Sequence, residues 1–273
     1  MMATLHAEKT GRAFTETRTF EILARAGYVA RGVIYILIGA LAIRLAQGVG
    51  GARPSQQGAL RTIGHQPFGK VMLIAMAIGL GGYAIWRLLQ AFVGHTPEYG
   101  KHSTMDRIGA VGSGIAYAAF CVLTIEILRG SAGNSSAKTK ETTARVLQWT
   151  GGRELVAAVG LLFIGIAMYQ AYLGLSRKFL KYSKTMEMSP ETEHAFTIIG
   201  VVGLVARAVA FFLIGVFVTK AAIDYAPSKA VGIDGALARL AQHAYGTAAL
   251  IVVAGGLIVF GLYSIADARF RKI

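Results

Sequence analysis

Gly27-Tyr-Val-Ala-Arg-Gly-Val-Ile-Tyr-Ile-Leu-Ile-Gly39 holds one charge in an otherwise apolar run, and it returns twice along the chain. The clear copy is Gly203-Leu-Val-Ala-Arg-Ala-Val-Ala-Phe-Phe-Leu-Ile-Gly215. The diverged copy is Gly109-Ala-Val-Gly-Ser-Gly-Ile-Ala-Tyr-Ala-Ala-Phe-Cys121. Each copy opens an apolar helix of membrane-spanning length, and a second such helix follows each. The second helices match as well: Tyr83-Ala-Ile-Trp86 parallels Ile166-Ala-Met-Tyr169 and Phe260-Gly-Leu-Tyr263. The loops between them match at Gly58-Ala-Leu and Gly235-Ala-Leu, and at Phe68-Gly69 and Tyr245-Gly246. The offsets stay at 82 to 83 residues from the first unit to the second and 176 to 177 to the third. A constant period of this kind marks duplication of a whole structural unit. Each unit contributes two spans, so successive units insert the same way up. They are parallel repeats about an axis along the membrane normal.

The predicted fold is therefore all-α: a polytopic membrane protein with six transmembrane helices, arranged as three repeated hairpins about a pseudo-threefold axis. Composition agrees. The 273 residues are 54% hydrophobic and 15% charged, with mean hydropathy +0.53, against about 25% charged residues in a soluble domain. The net charge of +14 comes from 28 Lys and Arg against 14 Asp and Glu. In a soluble chain such an excess points to nucleic acid. Here the basic residues flank apolar runs and face anionic headgroups, so the expected partner is the lipid bilayer and no nucleic acid.

Residues 1–20 form a polar tail without the apolar core of a cleavable signal peptide. Repeat 1 occupies 21–94, repeat 2 105–179 and repeat 3 195–273, each with two spans. The predicted spans are 27–46, 70–93, 108–128, 155–175, 196–223 and 246–266. The Ser/Thr/Lys-rich stretch 131–143 reads as the most loop-like part of the chain. Amphipathic stretches near 57–65 and 234–243 read as short helices that cap their hairpins or lie flat on the membrane. Thirteen Lys and Arg flank the spans on the side of the termini and ten on the other. That bias places both termini in the cytoplasm.

At these residues the chain resembles a bacterial membrane family known as domain of unknown function 1206. The resemblance is carried by Ala30-Arg-Gly-Val-Ile-Tyr35, by Gly58-Ala-Leu60 with Pro67-Phe-Gly69, and by Tyr83-Ala-Ile-Trp-Arg87. It runs from about Ala24 to Arg271 as three tandem units. It implies a multi-pass protein of the bacterial inner (plasma) membrane, and it implies no activity. The middle unit departs most, with Ser113 where the others have Arg31 and Arg207.

Charges inside spans are the best functional pointers, because each costs about 2.5 to 3.5 kcal/mol at a helix centre on insertion scales. Arg31 and Arg207 are repeat equivalents, and Arg207 falls near mid-membrane. Arg44, Glu126 and Lys220 are equivalent near the other end of the odd-numbered spans, so Glu126 is placed to pair with one or both cations. These five are the candidate ligand-binding residues, for an anion or acidic lipid. The competing structural reading makes them internal polar contacts that hold the helices in register. Arg87 reads as a span-end residue beside Trp86. Trp86, Tyr169 and Tyr263 read as interfacial anchors. The glycines read as helix-packing positions, with a broken helix at Gly79 to Gly82 as the rival.

No catalytic constellation emerges. All six histidines (His6, His65, His95, His102, His194 and His243) read as loop or tail residues, which leaves no base beside Ser113 and no axial ligands for a haem. His95, His102 and His194 have irregular spacing for a metal site. The lone Cys121 reads as a small packing residue. The expectation is a non-enzymatic structural or accessory membrane protein without cofactor, whose further partner is an anionic lipid or another membrane protein. The alternative is a small transporter or channel for an anionic solute or protons.

Overall fold

The computed structural model describes residues 18–93, 95–96, 100–101, 104–131, 135–242 and 245–272. Six helices are long and apolar enough to cross a membrane. They are α1 (Arg18–Ala46), α3 (Gly69–Val93), α4 (Thr104–Leu128), α6 (Gly152–Leu175), α7 (Pro190–Ile223) and α9 (Gly246–Phe270). Three shorter helices link the two spans of each unit: α2 (Gln56–Gly64), α5 (Ser135–Leu147) and α8 (Ile233–Ala241). A two-residue antiparallel pairing, His95–Thr96 with Gly100–Lys101, lies between α3 and α4.

The largest differences from the predicted spans are at the starts of α1 and α7, which come earlier than the apolar pattern alone predicts. Helix α1 begins at Arg18, and its first turns are held by Arg25 and Glu21, 2.6 Å apart at i,i+4 spacing. Helix α7 begins at Pro190, where Ser189 caps the helix by accepting from the Thr192 amide and proline occupies the first turn. Helix α3 runs unbroken through Gly79, Gly81 and Gly82, so these glycines serve packing. Gly79 lies against the backbone of Ala26.

The stretch expected as loop at 131–143 contains α5. Its exposed face carries the Glu141–Arg145 pair at 2.6 Å, and Leu147 at its end is buried. Local side-chain pairs and one buried anchor outweigh its Ser/Thr composition. This makes α5 the counterpart of α2 and α8. In all three units a left-handed residue stands just before the second span, Phe68 (φ 61), Gly151 (φ 79) or Tyr245 (φ 62). A glycine follows whose missing Cβ admits the carbonyl of Ile63, Val146 or Leu240. These are the same register positions at offsets of 83 and 177. Any larger side chain at Gly69, Gly152 or Gly246 would strike that carbonyl.

Helix α1 packs most extensively on α9, α7 on α6, and α4 on α3. Each first span of a unit thus lies against the second span of a neighbouring unit. The crossing point recurs at equivalent residues. A Cβ at Gly39 would lie 2.6 Å from the Ala254 carbonyl, and one at Gly215 would lie 2.8 Å from that of Gly160. In the third copy the Cys121 thiol is 3.3 Å from the Ala77 carbonyl. Small residues here let backbones approach where van der Waals contact drives association.

Contacts within a hairpin are less extensive and unequal. Helices α1 and α3 pack together, as do α7 and α9, but α4 and α6 of the middle unit share no interface of comparable extent. The six spans follow one another in the order α4, α3, α1, α9, α7, α6 around an arc whose two ends, α4 and α6, share no extensive interface. Equivalence of the three units is therefore incomplete. Only 17% of the apolar window of α4 and 22% of that of α6 is buried, against 39–50% for the other four spans. Helices α2 and α8 fold back on the end of the bundle away from both termini and bury Leu60, Ile63, Ala236 and Leu237. The amphipathic stretches thus cap the bundle. Asp234 of α8 lies 3.8 Å from Arg53 of the first loop and ties the two caps together.

Candidate functional site

Arg31 and Arg207 both face the concave side of the arc. On α7 the exposed Ile198, Val202, Val209 and Phe212 lie opposite Arg207 on a 3.6-residue wheel, while Phe196, Gly200 and Ile214 share its buried side. On α1 Arg31 shares its face with Tyr28, Tyr35 and Ile38, all buried.

Arg31 meets a hydroxyl, a carboxylate and two rings. Its Nε donates to Ser264 Oγ at 2.7 Å, and Ser264 Oγ in turn donates to the Tyr28 carbonyl at 2.9 Å. Its Nη2 lies 3.7 Å from Asp267 Oδ2, and its guanidinium stands 4.6 Å from the Tyr28 ring centroid and 5.5 Å from that of Phe260. Asp267, 2% exposed at its side chain, is shared with Arg271 at 3.5 Å. Two cations flank one buried carboxylate, and helix α9 presents Ser264, Asp267 and Arg271 on one face by i, i+3 and i+7 spacing. Rings close the site: Tyr83 lies edge-on to Tyr28 at 5.0 Å and tilted to Tyr117 at 4.4 Å, with Trp86 5.1 Å from Tyr83. Arg87 extends over Tyr83 and Trp86.

Arg207 stands 17 residues from the start of α7 and 16 from its end, at the middle of the helix. Its Nε donates to the Tyr35 hydroxyl at 3.0 Å. Its guanidinium lies 4.7 Å from the ring centroid of Phe211, 4.9 Å from that of Phe260 and 5.4 Å from that of Tyr35. Such ring faces attract a cation without neutralising it.

The other three predicted residues are not brought together. Arg44 is exposed and donates to the Gly50 carbonyl at 3.3 Å. Glu126 closes α4 through its backbone carbonyl, which accepts from Ser131. Lys220 is exposed in the last turn of α7. Among the described residues no ion pair joins them, because α1, α4 and α7 are separated in the arc by the spans between them. Equal depth did not mean proximity. Trp86 and Tyr263 are buried on the concave side, where they pack as core residues, and only Tyr169 of the three expected anchors is exposed. His6, His102 and His243 lie outside the described residues.

Asp267, Ser264, Arg271 and Gln170 are the site residues that the sequence reading passed over. The predicted sixth span ended at Ala266, one residue short of the carboxylate. The signal was available in the repeat register. Tyr83, Ile166 and Phe260 are equivalent, so Arg87, Gln170 and Ser264 are equivalent, and Leu173 stands where the third unit has Asp267.

Comparison with known proteins gives a family and no activity. A family model described as Domain of Unknown Function (DUF1206) matches three tandem segments, residues 26–94, 108–177 and 202–271. An uncharacterized protein of Bacillus subtilis (strain 168), YxxB, is 36% identical over 251 residues, which covers 91% of this chain and 90% of that protein. No solved structure matches. Three matched segments over most of the chain, with the turn and crossing contacts repeated at the same register, make this protein a member of the DUF1206 family.

Proposed function

We propose that the protein is a non-enzymatic accessory component of the bacterial inner membrane, with both termini in the cytoplasm, whose interior charges hold its own helices in place. The observation that carries this reading is the closed network at Arg31. The polar side chains that approach the arginine are held by neighbours of the same chain, Ser264 by the Tyr28 carbonyl and Asp267 through Oδ2 by Arg31 and Arg271, with Asp267 Oδ1 buried without a hydrogen-bond partner among the described residues. A buried pair of this kind contributes register more readily than chemistry. The cytoplasmic placement of the termini rests on the Lys/Arg bias beside the spans.

Solvent access to mid-membrane tests the reading. Arg207→Cys, in a background with Cys121→Ser, is treated with a membrane-impermeant thiol reagent from each side. Protection from both sides, with a loop cysteine labelled as control, is the expected result. Labelling from either side would reveal a water-filled path and replace the accessory role with transport.

A further inference from the structure

Arg207 repeats the Arg31 site with the counter-ion left out. Helix α1 rests on α9 as α7 rests on α6, with Gly39 against Ala254 matched by Gly215 against Gly160. At the first interface Ser264 holds the arginine and Asp267 balances its charge. At the second, Gln170 takes the place of Ser264 and Leu173 takes that of Asp267. The antiparallel contacts of Gly160 with Gly215 and Thr219, and of Gly174 with Leu204, put Gln170 level with Arg207. Phe163, seven residues before Gln170 on the same flank of α6, packs on Phe211 beside the guanidinium at 5.8 Å. Gln170 is 7% exposed, and its Oε1 is buried without a hydrogen-bond partner among the described residues.

Among the described residues no carboxylate pairs with Arg207. Asp267 is held between Arg31 and Arg271, and Glu126 lies two residues from the end of its span, far from mid-membrane. A cation at mid-membrane is stable when an anion meets it at that depth. A lipid phosphate sits at the interface, about 15 Å away in a 30 Å hydrocarbon core. Arg207 is half-buried, and α4 and α6, which share no extensive interface, are the two least covered spans. On the flank of α4 away from α3, nothing lies within 4 Å of Gly109 or Gly112.

We propose that Arg207 and Gln170 are the docking point for a transmembrane helix of another membrane protein, one that carries an aspartate or glutamate near its midpoint and enters between α4 and α6. The carboxylate accepts from the terminal nitrogens of Arg207 and, with the Gln170 amide turned end for end so that Nε2 takes the place of the unpartnered Oε1, from that nitrogen, and it restores the balance that Asp267 gives Arg31. This proposal rests on the accessory reading and names the chemistry of its partner.

The test uses the purified full-length protein in phosphatidylcholine vesicles and a dye-labelled Leu/Ala helix of about 23 residues with one central Asp. Energy transfer from the protein reports binding. The central-Asp peptide is expected to bind about tenfold tighter than the same peptide with Asn, or with Asp moved to its end. Arg207→Gln abolishes that preference. Leu173→Asp, which leaves Arg207 in place and supplies the carboxylate internally, abolishes it as well. A Gly112→Cys variant, with Cys121→Ser, forms a disulfide with a version of the peptide that carries one cysteine beside its central Asp when copper–phenanthroline is added as the oxidant. Equal binding of the Asp and Asn peptides overturns the proposal, as does a preference that survives both variants. Displacement of the peptide by laurate or acetate overturns it in favour of a small-anion site. Protection of position 207 from aqueous label, combined with no Asp preference, defeats the docking proposal and leaves the accessory reading standing. Labelling at 207 defeats the accessory reading itself.

Discussion

Arg31 and Arg207 occupy the same position in two copies of one repeat, yet one is paired with a carboxylate and the other, among the described residues, is not. The difference lies in the neighbouring helix. Both arginines reach toward the following odd-even interface, and what they meet there depends on whether it carries Asp267 or Leu173. The aromatic surroundings are alike: Tyr28 and Phe260 for one, Tyr35, Phe211 and Phe260 for the other. Duplication kept the cation and its ring cage, while the counter-charge was kept only where the interface closes on itself. The middle unit goes a step further. Its Ser113 returns its hydroxyl to the Gly109 carbonyl at 2.9 Å, and the cation sits on the partner helix as Arg87.

The largest expected effect comes from breaking the balanced site. Asp267→Asn keeps the shape and removes the charge, and it leaves Arg31 and Arg271 without an anion. Loss of one member of a buried pair costs about 3 to 5 kcal/mol. Reversible unfolding in detergent micelles measures it. A loss below about 1 kcal/mol would mean that water already balances these arginines.

Next in size is the conversion of the open site into the closed one. In a cycle of Leu173→Asp with Arg207→Gln, the new carboxylate should stabilise only when the arginine is present. The coupling expected between groups in direct contact is about 0.5 to 3 kcal/mol. No coupling would show that Leu173 does not share the environment of Asp267.

The repeat was legible in the chain because its register is written in full: Gly39, Cys121 and Gly215 match by offset, and each proves to be a crossing point. The helical class followed from apolar length. The candidate site was legible only in part. Arg31 and Arg207 stood out because charge is rare in an apolar run, but a pairing of Arg44, Glu126 and Lys220 assumed that equal depth brings side chains together. Packing order decides that, and the order around the arc depends on contacts between units that no single-helix pattern encodes. Asp267 was missed for a different reason: hydropathy ends a span at the first charge, whereas the structure buries that charge by pairing it.

A third comparison concerns the crossings. Gly39→Leu and Gly215→Leu each force α1 from α9 or α7 from α6, and overpacking of this kind costs about 1 to 3 kcal/mol. Gly112→Ala, with nothing within 4 Å of a new Cβ, should stay within about 0.5 kcal/mol of the parent. Thermal melts of the three variants separate these outcomes. A damaging Gly112→Ala would reveal that α4 already has a partner on that face.

The smallest effect belongs to charge pairing in water, and it isolates what burial contributes at Arg31. Asp224, just past the end of α7, accepts from Lys229 Nζ at 2.6 Å. The hydrogen bond and the ammonium charge hold its carboxyl below the usual carboxylate range. A carboxyl with a depressed folded-state pKa contributes stability above its unfolded pKa and loses it as pH falls through the folded one. Asp224→Asn should therefore be slightly less stable than the parent at neutral pH and equal to it in acid, with the gap closing in high salt. The same salt should leave the Asp267→Asn deficit nearly unchanged, because a pair enclosed by Tyr28, Tyr83 and Phe260 is out of reach of mobile ions. Equal salt sensitivity of the two variants would place the Arg31 site in contact with water and remove the distinction between it and the exposed pair.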